Sequence, residues 1–154
     1  MGILVIIDTG VLLNILDVPG NNERRFEIQA TLKKHIAAND HLYLPMATIL
    51  ETGNHIADIK KNGDQRRKWG ELFVKQIELA LNGEAPWKVM PFPNPQTILE
   101  WLAEFPDLAM RQFGFSDASI LKEWETLQER HPMSRVKIWA TDSKWDSYDT
   151  GDRK

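Results

Sequence analysis

The chain reads as an α/β sandwich on a mainly parallel sheet, and three observations predict it. The run Ile3-Leu4-Val5-Ile6-Ile7 is apolar without polar alternation, the mark of a short strand buried on both faces. Further short runs at residues 41–44 and 135–140 have strand character. Between these runs lie longer stretches whose apolar residues recur at helical spacing, so strands alternate with helices as in a parallel sheet with helical crossovers.

Taken in order, residues 3–7 form the first strand, and residues 11–16 turn helical before Asp17-Val18-Pro19-Gly20-Asn21-Asn22 breaks them. Residues 23–38 place Phe26, Ile28, Ala30, Leu32 and Ile36 among Lys and Arg in a helical pattern that Asn39-Asp40 stops. His41-Leu42-Tyr43-Leu44 is the second strand, and Pro45 suits the first turn of a helix over residues 45–60. Asn62-Gly63 ends that helix, Asp64 is the expected cap of the next, over residues 65–81, and Asn82-Gly83 closes it. Residues 87–90 form a short candidate strand with proline-rich flanks. Asn94-Pro95 is a cap followed by a first-turn proline, opening a helix through Ile98, Leu99, Trp101, Leu102 and Phe105. Ser116 is the expected cap of a helix over residues 117–130, residues 135–140 give the last strand, and residues 141–154 are a polar tail.

Length favours a single domain over residues 1–154, since neither side of the proline-rich stretch 85–95 would hold a core as well as the whole does. A hydrophobic share of 42% and a charged share of 27% are globular values and argue against disorder. There is no cysteine, which removes disulfides, thiolate zinc sites and cysteine nucleophiles, and fits a reducing compartment. The first run carries no basic leader and is too short to span a bilayer, so a cytoplasmic, membrane-free protein is expected. A net charge of −3 gives no overall basic field for a polyanion. Nucleic-acid contact would have to be local, through Arg24-Arg25, Lys33-Lys34, Lys60-Lys61 or Arg66-Arg67-Lys68, each of which also reads as a solvated helix face.

The chemistry lies in the acids. Ligands of an open parallel sheet gather at the carboxyl ends of its strands, where each strand releases the chain into a loop and a helix N-terminus. Asp8 follows the first strand and Asp142 the last; Glu51 lies two turns into the helix after the second strand, and Asp117 opens the helix before the last. Four carboxylates around one cleft would repel and raise one another's pKa values unless a divalent cation joined them. Hard oxygen donors suit Mg²⁺ or Mn²⁺, and such a site supports phosphodiester hydrolysis by an activated water. Each acid also has a plainer reading. Asp8 could be a turn or cap residue, Asp117 could answer the helix dipole, Glu51 could be exposed, and Asp142 could cap a terminal turn.

Val5-Ile6-Ile7-Asp8-Thr9-Gly10-Val11-Leu12-Leu13, Leu44-Pro45 with Glu51 six residues beyond the proline, Gly114-Phe115-Ser116-Asp117-Ala118, and Ala140-Thr141-Asp142 together resemble the acidic blocks of PIN-domain nucleases, in that family's order. The likeness is to its small stand-alone bacterial toxins, the virulence-associated protein C-like ribonucleases. It implies a three-layer α/β/α fold, a Mg²⁺ or Mn²⁺ site on Asp8, Glu51, Asp117 and Asp142, single-stranded RNA as substrate, an antitoxin partner and a homodimer. It also implies supporting roles around the acids for Thr9, Ser116 and Asp146. Two departures stand out: Asp146 offers a second carboxylate near Asp142, and Gly10 stands where the family often has Asn or Ser.

Competing readings come from single features. Glu51 and His55 share a helix face with Asp58 and could ligate metal, though such pairs are commonly surface contacts. Trp101 and Trp124 fit the core, while Trp145, in the polar tail, is the tryptophan most open to exposure and to stacking on a base or a partner, with packing the favoured reading. Asp8-Thr9-Gly10 matches the aspartic-protease triplet, but it occurs once, in a helix-rich chain, whereas such enzymes need two aspartates sharing a proton. A phosphatase with Asp8 as nucleophile would need an acid where Gly10 stands. From a different class comes a catalytically inactive PIN-like scaffold serving protein interaction.

Overall fold

The computed structural model describes residues 2–60 and 62–151. Met1, Lys61 of the Lys60-Lys61 pair and residues 152–154 of the polar tail lie outside the described residues. Strands β1 (Leu4–Ile7), β2 (His41–Leu44), β3 (Trp87–Val89) and β4 (Val136–Trp139) form an all-parallel sheet in the order β3-β2-β1-β4. Ile6 pairs with Tyr43 on one side and Ile138 on the other, so β1 is central. The order reverses direction at β1, with β2 and β3 to one side and β4 to the other. That makes the β1/β4 boundary the switch point where open sheets of this kind bind ligands.

Helices α1 (Thr9–Ile15), α2 (Arg25–Ala37), α3 (Met46–Ala57), α4 (Gly63–Leu81), α5 (Pro95–Met110) and α6 (Phe115–Arg130) surround the sheet. The pleat of β1 divides its side chains between two cores. Val5 and Ile7 join Val11, Leu12, Ile28, Ile56 and Ala80 from the first four helices, while Leu4 and Ile6 join Leu108, Ala118, Ile120 and Leu121 from the last two. Val5, Ile6 and Ile7 are fully buried, and each such side chain contributes about 1.5–3 kcal/mol. The expected three-layer α/β/α sandwich is therefore the observed one.

Element ends follow local chemistry. Asn94 caps α5 by accepting the Thr97 N–H, as its sequence predicts. α5 runs on to Met110 through Pro106. Two predicted caps shift: Asn62, not Asp64, accepts the Gln65 N–H at the start of α4, and Gly114, not Ser116, is the residue before α6. In each case cap-competent residues lie close together, and the helix begins after the first of them. α2 ends with Asn39 at φ 56°, which lets the Asp40 N–H reach back to the His35 carbonyl.

The polar tail returns along β4. A 3₁₀ turn at Ser143–Trp145 is followed by Tyr148, whose carbonyl accepts the Ile138 N–H, and by Asp149, which bridges to Lys137 and forms a bidentate pair with Arg135. This return buries Trp145 to 1% exposure against Phe113 and Tyr148, so it packs, as the favoured reading had it, although its place in the polar tail made it the tryptophan most open to exposure. Among the described residues no helix is long and apolar enough to cross a membrane.

Candidate active site

The pairing of β1 with β4 continues one residue past Ile7, because the Asp8 N–H donates to the Trp139 carbonyl at 2.9 Å. Asp8 and the residues leaving β4 therefore emerge side by side at the carboxyl edge. α3 is pinned to the same edge by Thr48, fully buried, whose Oγ1 donates to the Ile7 carbonyl at 2.7 Å. Glu51 lies one turn further along α3, and its carboxylate accepts a hydrogen bond from Thr9 Oγ1 at 2.9 Å. Asp117 stands in the first turn of α6. Asp142 caps the 3₁₀ turn, its Oδ1 accepting the Lys144 N–H at 2.9 Å.

A lysine completes the group. Lys144 Nζ lies 2.5 Å from Asp117 Oδ2 and 4.0 Å from Asp142 Oδ2, and it also acts on Asp8. Burial works against its positive charge, yet the hydrogen bond to Asp117 and the charges of Asp117, Asp142 and Asp8 outweigh burial and raise its pKa. Asp8 moves from the ordinary 3.8 to about 6. Burial is the largest cause; the charges of Asp117 and Glu51 add to it, and the Thr9 backbone N–H and Lys144 oppose it. The fold thus holds a carboxylate where its own environment disfavours the charge.

The sequence-predicted acids Asp8, Glu51, Asp117 and Asp142 lie along this one edge, with Thr9 linking Asp8's strand end to Glu51. Ser116 and Asp146 are less engaged. Ser116 sits in the first turn of α6 with its carbonyl accepting Ser119 Oγ, and Asp146 is exposed, closing the 3₁₀ turn through its N–H to the Ser143 carbonyl. The Glu51–His55 pairing does not form, since Glu51 turns to Thr9 while exposed His55 borders a separate groove with Pro19, Asp58 and Lys60. The absence of a polar side chain at position 10 has a steric reason: a β-carbon on Gly10 would stand 2.2 Å from Thr141 Oγ1, so Thr141 fills that space.

Sequence reasoning did not single out Lys144, Thr48 or Thr141 as members of the site. The signal for Lys144 was its place two residues past Asp142, where a tight turn folds the side chain back on the acids. Of the basic pairs, Arg24 is joined directly to this edge, its Nη1 donating to the Thr141 carbonyl at 3.1 Å. Arg25 instead donates to the Asn14 and Ile15 carbonyls at the end of α1, a structural role.

All the converging donors are carboxylate oxygens, the ligands of a hard divalent cation, and a cation, the Lys144 ammonium, is already drawn among them. In kind, the residues fit Mg²⁺ or Mn²⁺. Among the described residues no three His, Asp or Glu side chains stand grouped to hold a metal ion, and Asp117 and Asp142 are engaged with Lys144.

No family model and no curated protein matches the chain. Solved structures do. FitAB bound to an IR36 DNA fragment is 21% identical with a TM-score of 0.59, covering 94% of this chain and 89% of that one. FitAcB from Neisseria gonorrhoeae is 20% identical with a TM-score of 0.56, covering 94% of this chain and 91% of that one. At such identity the likeness speaks for the fold, and together with the all-parallel sheet flanked by helices it gives the chain a PIN-like α/β/α fold.

Proposed function

We propose that the protein is a metal-dependent endoribonuclease that hydrolyses phosphodiester bonds of single-stranded RNA, acting as the toxin of a toxin–antitoxin pair. The observation that carries this reading is the convergence of Asp8, Glu51, Asp117 and Asp142 on one sheet edge, with Asp8 raised to about 6 and a cation drawn among the acids. A bound Mg²⁺ or Mn²⁺ would polarise the phosphate and lower the pKa of an attacking water.

The chain's own contribution is position and charge. Asp8 and Asp117 are the first choices to hold the cation, and Glu51, hydrogen-bonded by Thr9, and Asp142, 4.0 Å from the Lys144 ammonium, would complete the acidic group. No side-chain nucleophile is required. The water's oxygen forms the new bond to phosphorus, the bond to the leaving ribose oxygen breaks, and that oxygen takes up a proton. Arg24, which donates to the Thr141 carbonyl on the rim and also pairs with Glu27, is the basic side chain through which this edge would meet an RNA phosphate.

The toxin role rests on the PIN resemblance and on the likeness to FitAB, a structure that includes a DNA fragment. A homodimer is part of the same reading, and exposed Leu99, Leu102 and Met110 on α5 supply apolar surface for it. One observation favours the alternative of an inactive PIN-like scaffold: Asp117 is already satisfied by Lys144. Incubating purified protein with single-stranded RNA, with Mn²⁺ and with chelator, separates the two. Cleavage that needs Mn²⁺ and is lost in Asp8→Asn and Asp117→Asn supports the nuclease; no cleavage and no Mn²⁺ uptake support the scaffold. Growth arrest on expression, rescued by Asp8→Asn, tests the toxin role separately.

A further inference from the structure

Lys144 is held at its backbone by the turn and at its tip by Asp117 alone at hydrogen-bonding distance, with part of the side chain open to solvent. Its N–H is bound by Asp142 Oδ1, and the next residue, Trp145, is buried to 1% exposure among Phe113 and Tyr148, so the turn cannot drift from the acids. The side chain itself is 38% exposed, and its Nζ lies 5.6 Å from the Trp145 ring centroid while it contacts Asp117. A protonated lysine has three donors and no lone pair, so it cannot ligate a metal. The oxygen it occupies on Asp117 is one that a divalent ion would require.

We propose that Lys144 is a tethered counter-cation that a divalent ion must displace from Asp117 and Asp142, so that it sets the affinity of the acidic site for metal. The single positive charge partly neutralises Asp8, Asp117 and Asp142, which keeps the carboxylates together on the edge of a sheet where they would otherwise repel. A dication neutralises them more fully and repels the ammonium, which then swings out toward solvent while its backbone stays in place. Metal uptake is thereby an exchange of one cation for another, and the apparent affinity is reduced by the fraction of molecules in which Lys144 occupies Asp117.

This inference rests on the metal site proposed above, and the test separates the two. Mn²⁺ is titrated calorimetrically at fixed pH into wild type, Lys144→Met and Lys144→Arg, and Mn²⁺-induced shifts in melting temperature are measured in parallel. Lys144→Met, similar in length and uncharged, is expected to bind Mn²⁺ about tenfold more tightly, corresponding to Lys144 occupying Asp117 in about nine molecules of ten. Lys144→Arg, which keeps the charge, is expected to bind no more tightly than wild type. Lys144→Gln is the second uncharged variant, should the methionine protein fail to fold. Equal or weaker Mn²⁺ binding in the uncharged variants, with wild type still binding, overturns the role of Lys144 and leaves the metal site standing. No uptake by any of the proteins overturns both.

Discussion

At the amino edge of the sheet Asp40 sits just before β2; at the carboxyl edge Asp8 sits just after β1. Both carboxylates are largely buried, yet they are treated in opposite ways. Asp40 accepts the Ile3 N–H at 2.8 Å and a hydrogen bond from His35 Nδ1 at 2.7 Å. Burial works against its charge, but these partners outweigh burial and hold its pKa below the ordinary 3.8. Asp8 meets a single backbone N–H, two neighbouring carboxylates and a more distant lysine, and its pKa rises to about 6. The first arrangement ties α2 and β2 to β1 and spends nothing on reactivity. The second keeps a carboxylate short of partners beside other acids, the arrangement that the proposed cation site calls for.

The contrast breaks first on activity. Asp8→Asn is expected to lower Mn²⁺-dependent RNA cleavage by about a thousandfold, the loss of several kcal/mol of charge stabilisation, while Asp40→Asn leaves cleavage per folded molecule unchanged. Single-turnover rates on a labelled single-stranded RNA measure both.

Stability should run the other way. Asp8→Asn removes a charge that the fold disfavours and should stabilise the protein by as much as about 3 kcal/mol at pH 7, the equivalent of the shift from 3.8 to about 6. Asp40→Asn should cost about 2–3 kcal/mol, because it replaces an acceptor of two charge-assisted bonds. Urea melts of the three proteins give the order Asp8→Asn, wild type, Asp40→Asn.

The pH dependence sharpens the same contrast. Asp8's folded pKa lies above its unfolded one, so the folded state binds the extra proton between them, and wild type loses stability against Asp8→Asn as pH rises from about 4 to about 6. Asp40's folded pKa lies below its unfolded one, so its contribution is present above the ordinary 3.8 and is lost as pH falls through the lower folded value. Melts at pH 3 to 8 without divalent ions read both slopes.

The smallest effect is at Thr9. Thr9→Val removes the hydroxyl that orients Glu51 and should weaken Mn²⁺ binding about tenfold while costing about 1 kcal/mol of stability. Calorimetric titration beside a thermal melt checks that the two effects separate.

Asp8 was legible because a carboxylate after five apolar residues breaks a buried strand at its end, and the helical spacing after Leu44 placed Glu51 nearby. The α/β order was legible for the same reason: β1 has to be covered on both faces. What local pattern could not supply were choices settled by tertiary contact. Asn62 and Asp64 can both cap a helix, and the structure shows Asn62 accepting the Gln65 N–H. Trp145 looks exposed among polar neighbours, and only the return of the tail along β4 buries it. Lys144 depends on that same return, so its place among the acids could not be read before the turn that carries it. Gly10 looked like a loss at the site, and the space it leaves for Thr141 emerges only when β1 and β4 are paired.

The central claim, that the carboxyl edge is a cation-dependent cleavage site, is tested most directly by the cleavage of single-stranded RNA by wild type, Asp8→Asn and Asp117→Asn, each with Mn²⁺ and with chelator. The account predicts cleavage by wild type in Mn²⁺ alone and its loss in both variants, each still folded by circular dichroism. Cleavage by folded Asp8→Asn and Asp117→Asn at the wild-type rate would contradict it.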